Sequence, residues 1–237
     1  MSPSILNDVD FFIFCSMTRS ILTPRQRAVL AVIGRDKALT HAFYLTGGTA
    51  LAEFYLQHRY SEDLDFFSTN NVDPAAITAF WQSVKKSLGI RKIDFQQSFN
   101  RNLFFLHFPK EILKTEFTYF PFLRIQKETS VSGIEIDSLY DIAVNKLFTI
   151  YQQCRARDYI DLYMICAKEG YTIKELIKAA KVKFDWHIDV LQLGTQFIKS
   201  QEAKDYPRMI VTIKDREWQQ FFISEAKKFK KDIFDKS

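Results

Sequence analysis

Asp63 and Asp65 stand one residue apart in FYLTGGTALAEFYLQHRYSEDLDFFS, residues 43–68, a stretch whose other residues mostly favour burial. Side chains alternate along a strand, so the two carboxylates point the same way, with Cα atoms about 6.6 Å apart. Leu64 and Phe66 then point the other way, into a core. Two carboxylates this close repel and raise each other's pKa. A cation between them removes that penalty, and hard oxygen donors suit Mg²⁺ or Mn²⁺, ions that carboxylate pairs commonly share with substrate phosphates. The competing reading is two acids on a solvent-facing strand, or an ion pair with Arg59. A bare Asp-x-Asp does not separate them.

The residues just upstream add a second feature. A short apolar run, 41–46, ends at Gly47-Gly48, and Thr49 reads as the opening of a helix over TALAEFYL. A strand that runs into a glycine pair at a helix start offers backbone N–H groups and the positive end of a helix dipole to an anion. Glycine also lets a phosphate approach the backbone closely. A third carboxylate would complete a metal site. Glu116 in KTEFTYF is the first candidate, with pairing to Lys114 as its ordinary alternative. Asp94 in KIDF is the rival, but KIDF directly follows a helix and reads as an outer strand.

These groups need a scaffold. At 237 residues the chain is long enough for one large domain or two small ones. Its 47% hydrophobic content suits a packed core, and 23 Phe point to aromatic packing. Three cysteines, Cys15, Cys154 and Cys166, show no CxxC spacing and suggest a reducing compartment. The N-terminal run Phe11 to Cys15, beside Asp8 and Asp10, lacks the basic start of a signal peptide, and no apolar stretch is long enough to span a bilayer. The expectation is a soluble, cytoplasmic protein without a membrane partner. Residues 171–237 hold 14 Lys and Arg against 10 Asp and Glu, leaving the other 19 and 18 to residues 1–170. A basic C-terminal third can attract a polyanion such as RNA, or simply form a solvated lysine-rich face.

Along the chain, Thr23-Pro24 marks a helix start, WQSVKKSL a helix ending at Gly89, and DLDFF a strand. KIDFQQSF, NLFFLHF and ILKTEFTYFPFL read as successive strands. From Asp137 the pattern turns helical, in SLYDIAVNKLFTIYQQC, RDYIDLYMICAK, TIKELIKAAKVK and a terminal REWQQFFISEAKKFKKDIF. In the last, Trp218, Phe222, Ala226, Phe229 and Ile233 fall at core-facing spacing. The fold class is α+β: a mixed sheet flanked by helices over 1–135, then a helical part over 136–237. In the helix after Ser138, Leu139, Ala143, Lys146 and Ile150 share a face. A lysine on that stripe needs an anion, or it snorkels to water. Asp158 and Asp161, at i and i+3 on the next helix, can face one groove. Asp158 also suits a helix N-terminus by its charge alone. The four histidines show no ligand spacing.

Gly-Gly-Thr, a short helix and Asp-x-Asp on a strand together resemble the polymerase-beta-like nucleotidyltransferase superfamily. More narrowly, LTGGTALAEFYLQHRYSEDLDFF with YDIAVNKLFTIYQQCRARDYIDLYMI, Tyr140 to Ile165, is similar to the AbiEii/AbiGii-type toxin nucleotidyltransferases, over roughly residues 22–166. Two departures stand out: Gln57 where a small residue is expected before His58-Arg59, and a glutamate as third carboxylate.

The resemblance implies a nucleotidyltransferase fold and transfer of a nucleoside monophosphate from an NTP to an acceptor hydroxyl with release of pyrophosphate. It implies Asp63, Asp65 and Glu116 as metal ligands for Mg²⁺ or Mn²⁺, and Gly47, Gly48, Thr49, Arg59, Ser61 and Lys146 around the nucleotide. Lys146 would contact the triphosphate, and Asp158 would orient it or the nucleotide. The implied acceptor is RNA, tRNA foremost, and the implied partner a cognate antitoxin. Two rivals remain at this stage: a small-molecule nucleotidyltransferase of the antibiotic-modifying type, and a non-catalytic NTP- or RNA-binding module of the same fold.

Overall fold

The computed structural model describes residues 20–127 and 129–234, with side chains described to Phe229. The expectations for Phe11 to Cys15 and for the Ile233 side chain lie outside the described residues. Seven strands form one mixed sheet in the order β3-β4-β5-β2-β1-β7-β6. They are β1 (Tyr44–Thr46), β2 (Leu64–Ser68), β3 (Lys92–Ser98), β4 (Arg101–His107), β5 (Ile112–Tyr119), β6 (Thr129–Val131) and β7 (Ile134–Ile136). β2 runs parallel to β5 and β1 parallel to β7, while the remaining neighbours are antiparallel.

The helices are α1 (Pro24–Ile33), α2 (Lys37–Ala42), α3 (Gly47–Leu51), α4 (Pro74–Leu88), α5 (Leu139–Gln152), α6 (Ala156–Glu169), α7 (Ile173–Phe184), α8 (Val190–Ile198) and α9 (Asp215–Phe234). Local chemistry explains several of their ends. Thr23 closes a capping box with Gln26, and Thr172 one with Glu175. Asp73 caps α4 ahead of Pro74, and Gly89 ends that helix in the left-handed region at φ 71°.

Alternation on the central strands divides the molecule. Leu64 and Phe66 of β2 and Phe117 of β5 are fully buried. Phe66 stacks on Phe117 at 5.1 Å, and Trp81 of α4 meets Phe117 edge-on. Asp65, Phe67, Glu116 and Thr118 point to the opposite side, toward α5. Beyond α5, Tyr159, Phe197, Trp218 and Phe222 interlock as the core of the helical part. The apolar side chains of sheet and helices form one continuous cluster. The expected division at 135/136 falls inside β7.

Two expectations are corrected. Residues 41–46 are not one strand: His41 and Ala42 end α2, and only Tyr44–Thr46 pair. Thr49 does not open the helix. α3 begins at Gly47, after Thr46, and the chain then widens into a π-helical turn over Ala52–Leu56. The reason is the glycine pair, which turns the chain earlier than a threonine cap would. The two short strands β6 and β7 are an addition, a hairpin through Ser132 and Gly133 at φ 52° and 85°, angles that fit a type I′ turn. Gln57 also finds its explanation, because it sits at φ 49°, a left-handed position that a small residue fills more cheaply.

Among the described residues no helix is long and apolar enough to cross a membrane. Lys183, one of the basic residues of the C-terminal third, is not on a solvated face. Its ammonium group is buried and pairs with Asp141 at 2.7 Å.

A buried acid beneath the site sets a pH dependence. Asp137 is fully buried, accepts from the Thr46 hydroxyl at 2.6 Å, and leaves Oδ1 without a hydrogen-bond partner. Burial pushes its carboxyl up to about 6, against the pull of Lys183. A raised acid binds its proton more tightly folded than unfolded, so it costs stability as pH rises from about 4 to its folded value, and that cost stays constant above. Denaturant titrations of the Asp137→Asn variant should therefore gain on the parent across that window by up to about 3 kcal/mol, then hold a constant margin. Parallel curves from about pH 4 to 7 would contradict this.

Candidate active site

A cavity of about 960 Å³ lies between the polar face of β2 and β5 and the helices that follow. Its sheet wall is acidic. Asp65 is paired in register with Glu116 across the parallel β2–β5 ladder, and Asp63 lies two residues before it on the same side. Burial, then Glu116 and Asp63, push the Asp65 carboxyl up to about 6. Glu116 is opposed by burial too, but the Arg101 fork at 2.6 Å through both nitrogens, with the Thr118 hydroxyl at 2.8 Å, holds it below its usual range. Held so, it is a weaker proton acceptor than its motif position suggests.

The pairings differ from the alternatives raised by the sequence. Asp63 pairs with Lys114 at 2.6 Å and not with Arg59, and Glu116 pairs with Arg101 and not with Lys114. Asp94 sits on edge strand β3, bound to Lys92 and His107 at 2.8 Å each, away from the cavity. Among the described residues no three His, Cys, Asp or Glu side chains enclose a point where an ion could sit as they stand. Asp63 and Glu116 are turned toward their basic partners.

The glycine turn closes against both walls. Gly47 has φ 73°, and a Cβ there would lie 2.6 Å from Asp65 Oδ2. A Cβ on Gly48 would lie 2.5 Å from Arg59 Nη2 and 3.0 Å from Ser61 Oγ. Only glycine allows the turn to pass this close to an acid on one side and a guanidinium on the other. Ser61 lines the cavity, as do Gly47 and Gly48. Thr49 does not: it is buried, and its hydroxyl donates to the Asp63 carbonyl, which fixes the start of the acidic strand.

The opposite wall is basic and rests on two buried carboxylates. Asp161 of α6 is fully buried and accepts from Arg59 Nε at 2.6 Å, Arg59 Nη2 at 2.8 Å, His58 Nε2 at 2.8 Å and Lys146 Nζ at 2.6 Å. Burial opposes its ionisation, but Lys146 and Arg59 win and hold its carboxyl well below the usual range. Asp158, one turn earlier, takes Lys146 Nζ at 2.6 Å and Arg155 Nε at 2.6 Å. Burial raises it, and these two cations bring it below its usual value. Lys146 thus finds its anions inside the protein, and does not snorkel to water.

Arg59 is buried to 4% exposure yet lines the cavity, and of its five N–H groups three are used by Asp161 and the Tyr60 carbonyl. The Gly48 contact places the guanidinium edge against the glycine turn. Cations held this rigidly suit a polyanion such as a triphosphate.

Arg101 and residues Asp205 to Arg208 line the cavity without a signal in the sequence, and Lys114, expected only as a partner for Glu116, lines it too. Asp205 to Arg208 belong to a strap that lies along the cavity. Tyr60 N bonds the Arg208 carbonyl at 2.8 Å, Arg59 bridges Met209, Ile210 N reaches the His58 carbonyl at 2.8 Å, and the Arg208 guanidinium lies 4.0 Å over the Tyr60 ring. Asp161 had a signal, its spacing from Asp158, but nothing local gave its partners. No local pattern marks the strap.

Known proteins place this arrangement. The family model of the AbiEii nucleotidyl transferase toxin, Type IV toxin–antitoxin system, matches residues 29–231. An uncharacterized protein of Aquifex aeolicus is 30% identical over 188 residues, 79% of this chain and 87% of its own. Two crystal structures share the fold at 18% identity. One is a candidate nucleotidyltransferase from H. pylori, with TM-score 0.59, covering 91% of this chain and 99% of its own. The other is JHP933 from Helicobacter pylori, with TM-score 0.53, covering 88% and 94%. The matched span takes in both walls of the cavity and the strap beside it, and the chain is a nucleotidyltransferase belonging to the AbiEii toxin family.

Proposed function

We propose that the chain transfers a nucleoside monophosphate from an NTP to a hydroxyl of RNA, with tRNA the foremost acceptor, in a metal-dependent reaction, and that it acts as the toxin of a toxin–antitoxin pair. The observation that carries the reading is the facing of two walls in one cavity: Asp63, Asp65 and Glu116 on one side, Arg59 and Lys146 on the other. The sheet part, 1–135, supplies the acids and the glycine turn. The helical part, 136–237, supplies Lys146, Asp158 and the strap.

The acidic wall fits a divalent ion by its chemistry. It offers hard oxygen donors, and the Asp65 carboxyl, raised first by burial and then by Glu116 and Asp63, is an acid whose charged form a cation would stabilise. Asp63 and Glu116 would hold the ion together with Asp65, in place of their pairing with Lys114 and Arg101. Mg²⁺ or Mn²⁺ held there supplies Lewis-acid charge for the acceptor oxygen and for the leaving pyrophosphate. The protein does the rest by position. Gly47 and Gly48 let the phosphates approach the backbone, and Arg59, Ser61 and Lys146 hold the β- and γ-phosphates in line. The acceptor oxygen bonds to the α-phosphorus as the bond to the bridging oxygen breaks, and the hydroxyl proton passes to a wall carboxylate. Asp158 keeps Lys146 at its station. The basic C-terminal third and Arg155, Arg157 and Arg208 at the cavity favour a polyanionic acceptor.

The test is incubation of the purified chain with Mg²⁺, total cellular RNA and each α-labelled NTP in turn. Label on RNA, dependent on metal, is expected. Label confined to small hydroxylated compounds would overturn the RNA acceptor, and no transfer to any acceptor would overturn the catalytic reading of this chain.

A further inference from the structure

Part of the cavity lining is aromatic. Phe67 follows Asp65 by two residues on the same face of β2, so it begins about 6.6 Å further along the strand. From it a row of rings leads away from the acids. Phe67 and Phe120 have centroids 4.7 Å apart, Phe120 and Phe122 5.0 Å, Phe122 and Phe184 5.0 Å, and Phe184 and Phe148 4.1 Å at an interplanar angle of 19°. All five line the cavity. Phe67, Phe120, Phe122 and Phe148 are half-buried, and Tyr151 lies beyond Phe148 with centroids 6.2 Å apart.

A core aromatic cluster would not need a polar row beside it. Here α5 turns Asn145, Thr149 and Gln152 into the same cavity, at i, i+4 and i+7. Asn145 Oδ1 is buried without a protein partner, while its Nδ2 reaches Asp137 at 3.3 Å. The same helix therefore offers Lys146 on its charged side, amides in the middle, and Phe148 on its apolar side. A nucleotide has that order of parts: a polyanionic tail, a hydroxylated sugar and a flat heteroaromatic ring.

We propose that the Phe148–Phe184 pair, with Phe120 and Phe122 behind it, is the stacking site for the base of the incoming nucleoside triphosphate. The inference rests on the transferase reading, which puts the triphosphate between Gly48, Arg59 and Lys146. It commits to the nucleotide's own base and not to a base of the acceptor, because Phe148 stands on α5 two residues from Lys146, with Asn145 and Thr149 lining the cavity beside them. The site takes a π-face, so it favours nucleotides over bare polyphosphate whatever the base, and the amides then have donors and acceptors to grade the bases.

The experiment is equilibrium binding with Mg²⁺ of each NTP and of inorganic tripolyphosphate to the full chain, as wild type, Phe148→Ala and Phe148→Tyr. Stacking predicts that wild type holds at least one NTP about tenfold or more tightly than tripolyphosphate. Phe148→Ala should lose most of that preference while keeping its tripolyphosphate affinity, and Phe148→Tyr, which keeps the ring face, should retain it. Equal binding of NTP and tripolyphosphate by wild type would overturn the base site and leave the transferase reading standing. Binding of neither would overturn both. Parallel losses for both ligands in Phe148→Ala would mean packing alone, and NTP binding untouched in Phe148→Ala would assign the rings to something other than the nucleotide. Either result overturns the proposal.

Discussion

Replacing Asp65 by asparagine should reduce nucleotidyl transfer by roughly 10³-fold or more, since ion-held charge stabilisation of a phosphoryl transition state is worth several kcal/mol. The substitution keeps the shape of the side chain and removes one charge from a wall where Glu116 and Asp63 already oppose it. The replacement amide has the same room beneath Gly47, where the glycine's missing Cβ leaves the space. The variant should therefore fold as well as wild type or better in the absence of metal. The check is paired: incorporation of labelled NMP, and thermal unfolding in a chelator. A variant that keeps its transfer rate would remove Asp65 from the reaction. One that loses both rate and folding would be answered by Asp63→Asn, a more exposed position in the same wall.

The second large effect is structural and lies on the opposite wall. Asp161→Asn should destabilise the fold by about 3–5 kcal/mol, because it leaves Arg59 and Lys146 buried with one carboxylate fewer. Removing a partner from a buried charge cluster costs more than the pair itself contributes, since the surviving cations keep their desolvation penalty. The sign of the pH dependence follows. The Asp161 carboxyl is held well below its ordinary range, so its stabilisation is complete above about pH 4 and is lost as pH falls toward the folded value. Urea unfolding at about pH 7 and about pH 3 should show a large gap between parent and variant at the first and a smaller one at the second. An unchanged midpoint at neutral pH would show that Arg59 and Lys146 find other anions.

Much of the acidic wall was legible in the sequence because it depends on alternation alone. Leu64 and Phe66 into the core and Asp65 away from it is a statement about one strand, and it holds. That Glu116 and not Asp94 reaches the cavity was also legible, because a strand that directly follows a helix tends to be peripheral, and β3 is the sheet edge. What the sequence did not disclose depends on register or on distance. Arg101 meets Glu116 only because β4 pairs β5 with Arg101 opposite Thr118. Asp161 meets His58 and Arg59 from 103 and 102 residues away, and no local pattern encodes that. Gly194 in the middle of α8 broke the apolar pattern that would have marked the helix. β6 and β7, three residues each, are too short to show a period.

Because the strap pairs with His58, Arg59 and Tyr60, one rim of the cavity joins the earliest third of the chain to the last. The order of synthesis then matters. The sheet can assemble as it leaves the ribosome, N-terminal elements first. That rim cannot close until residues 205–211 have been made. A product that stops before residue 205 carries both aspartates of the acidic wall and yet lacks the strap that completes the pocket.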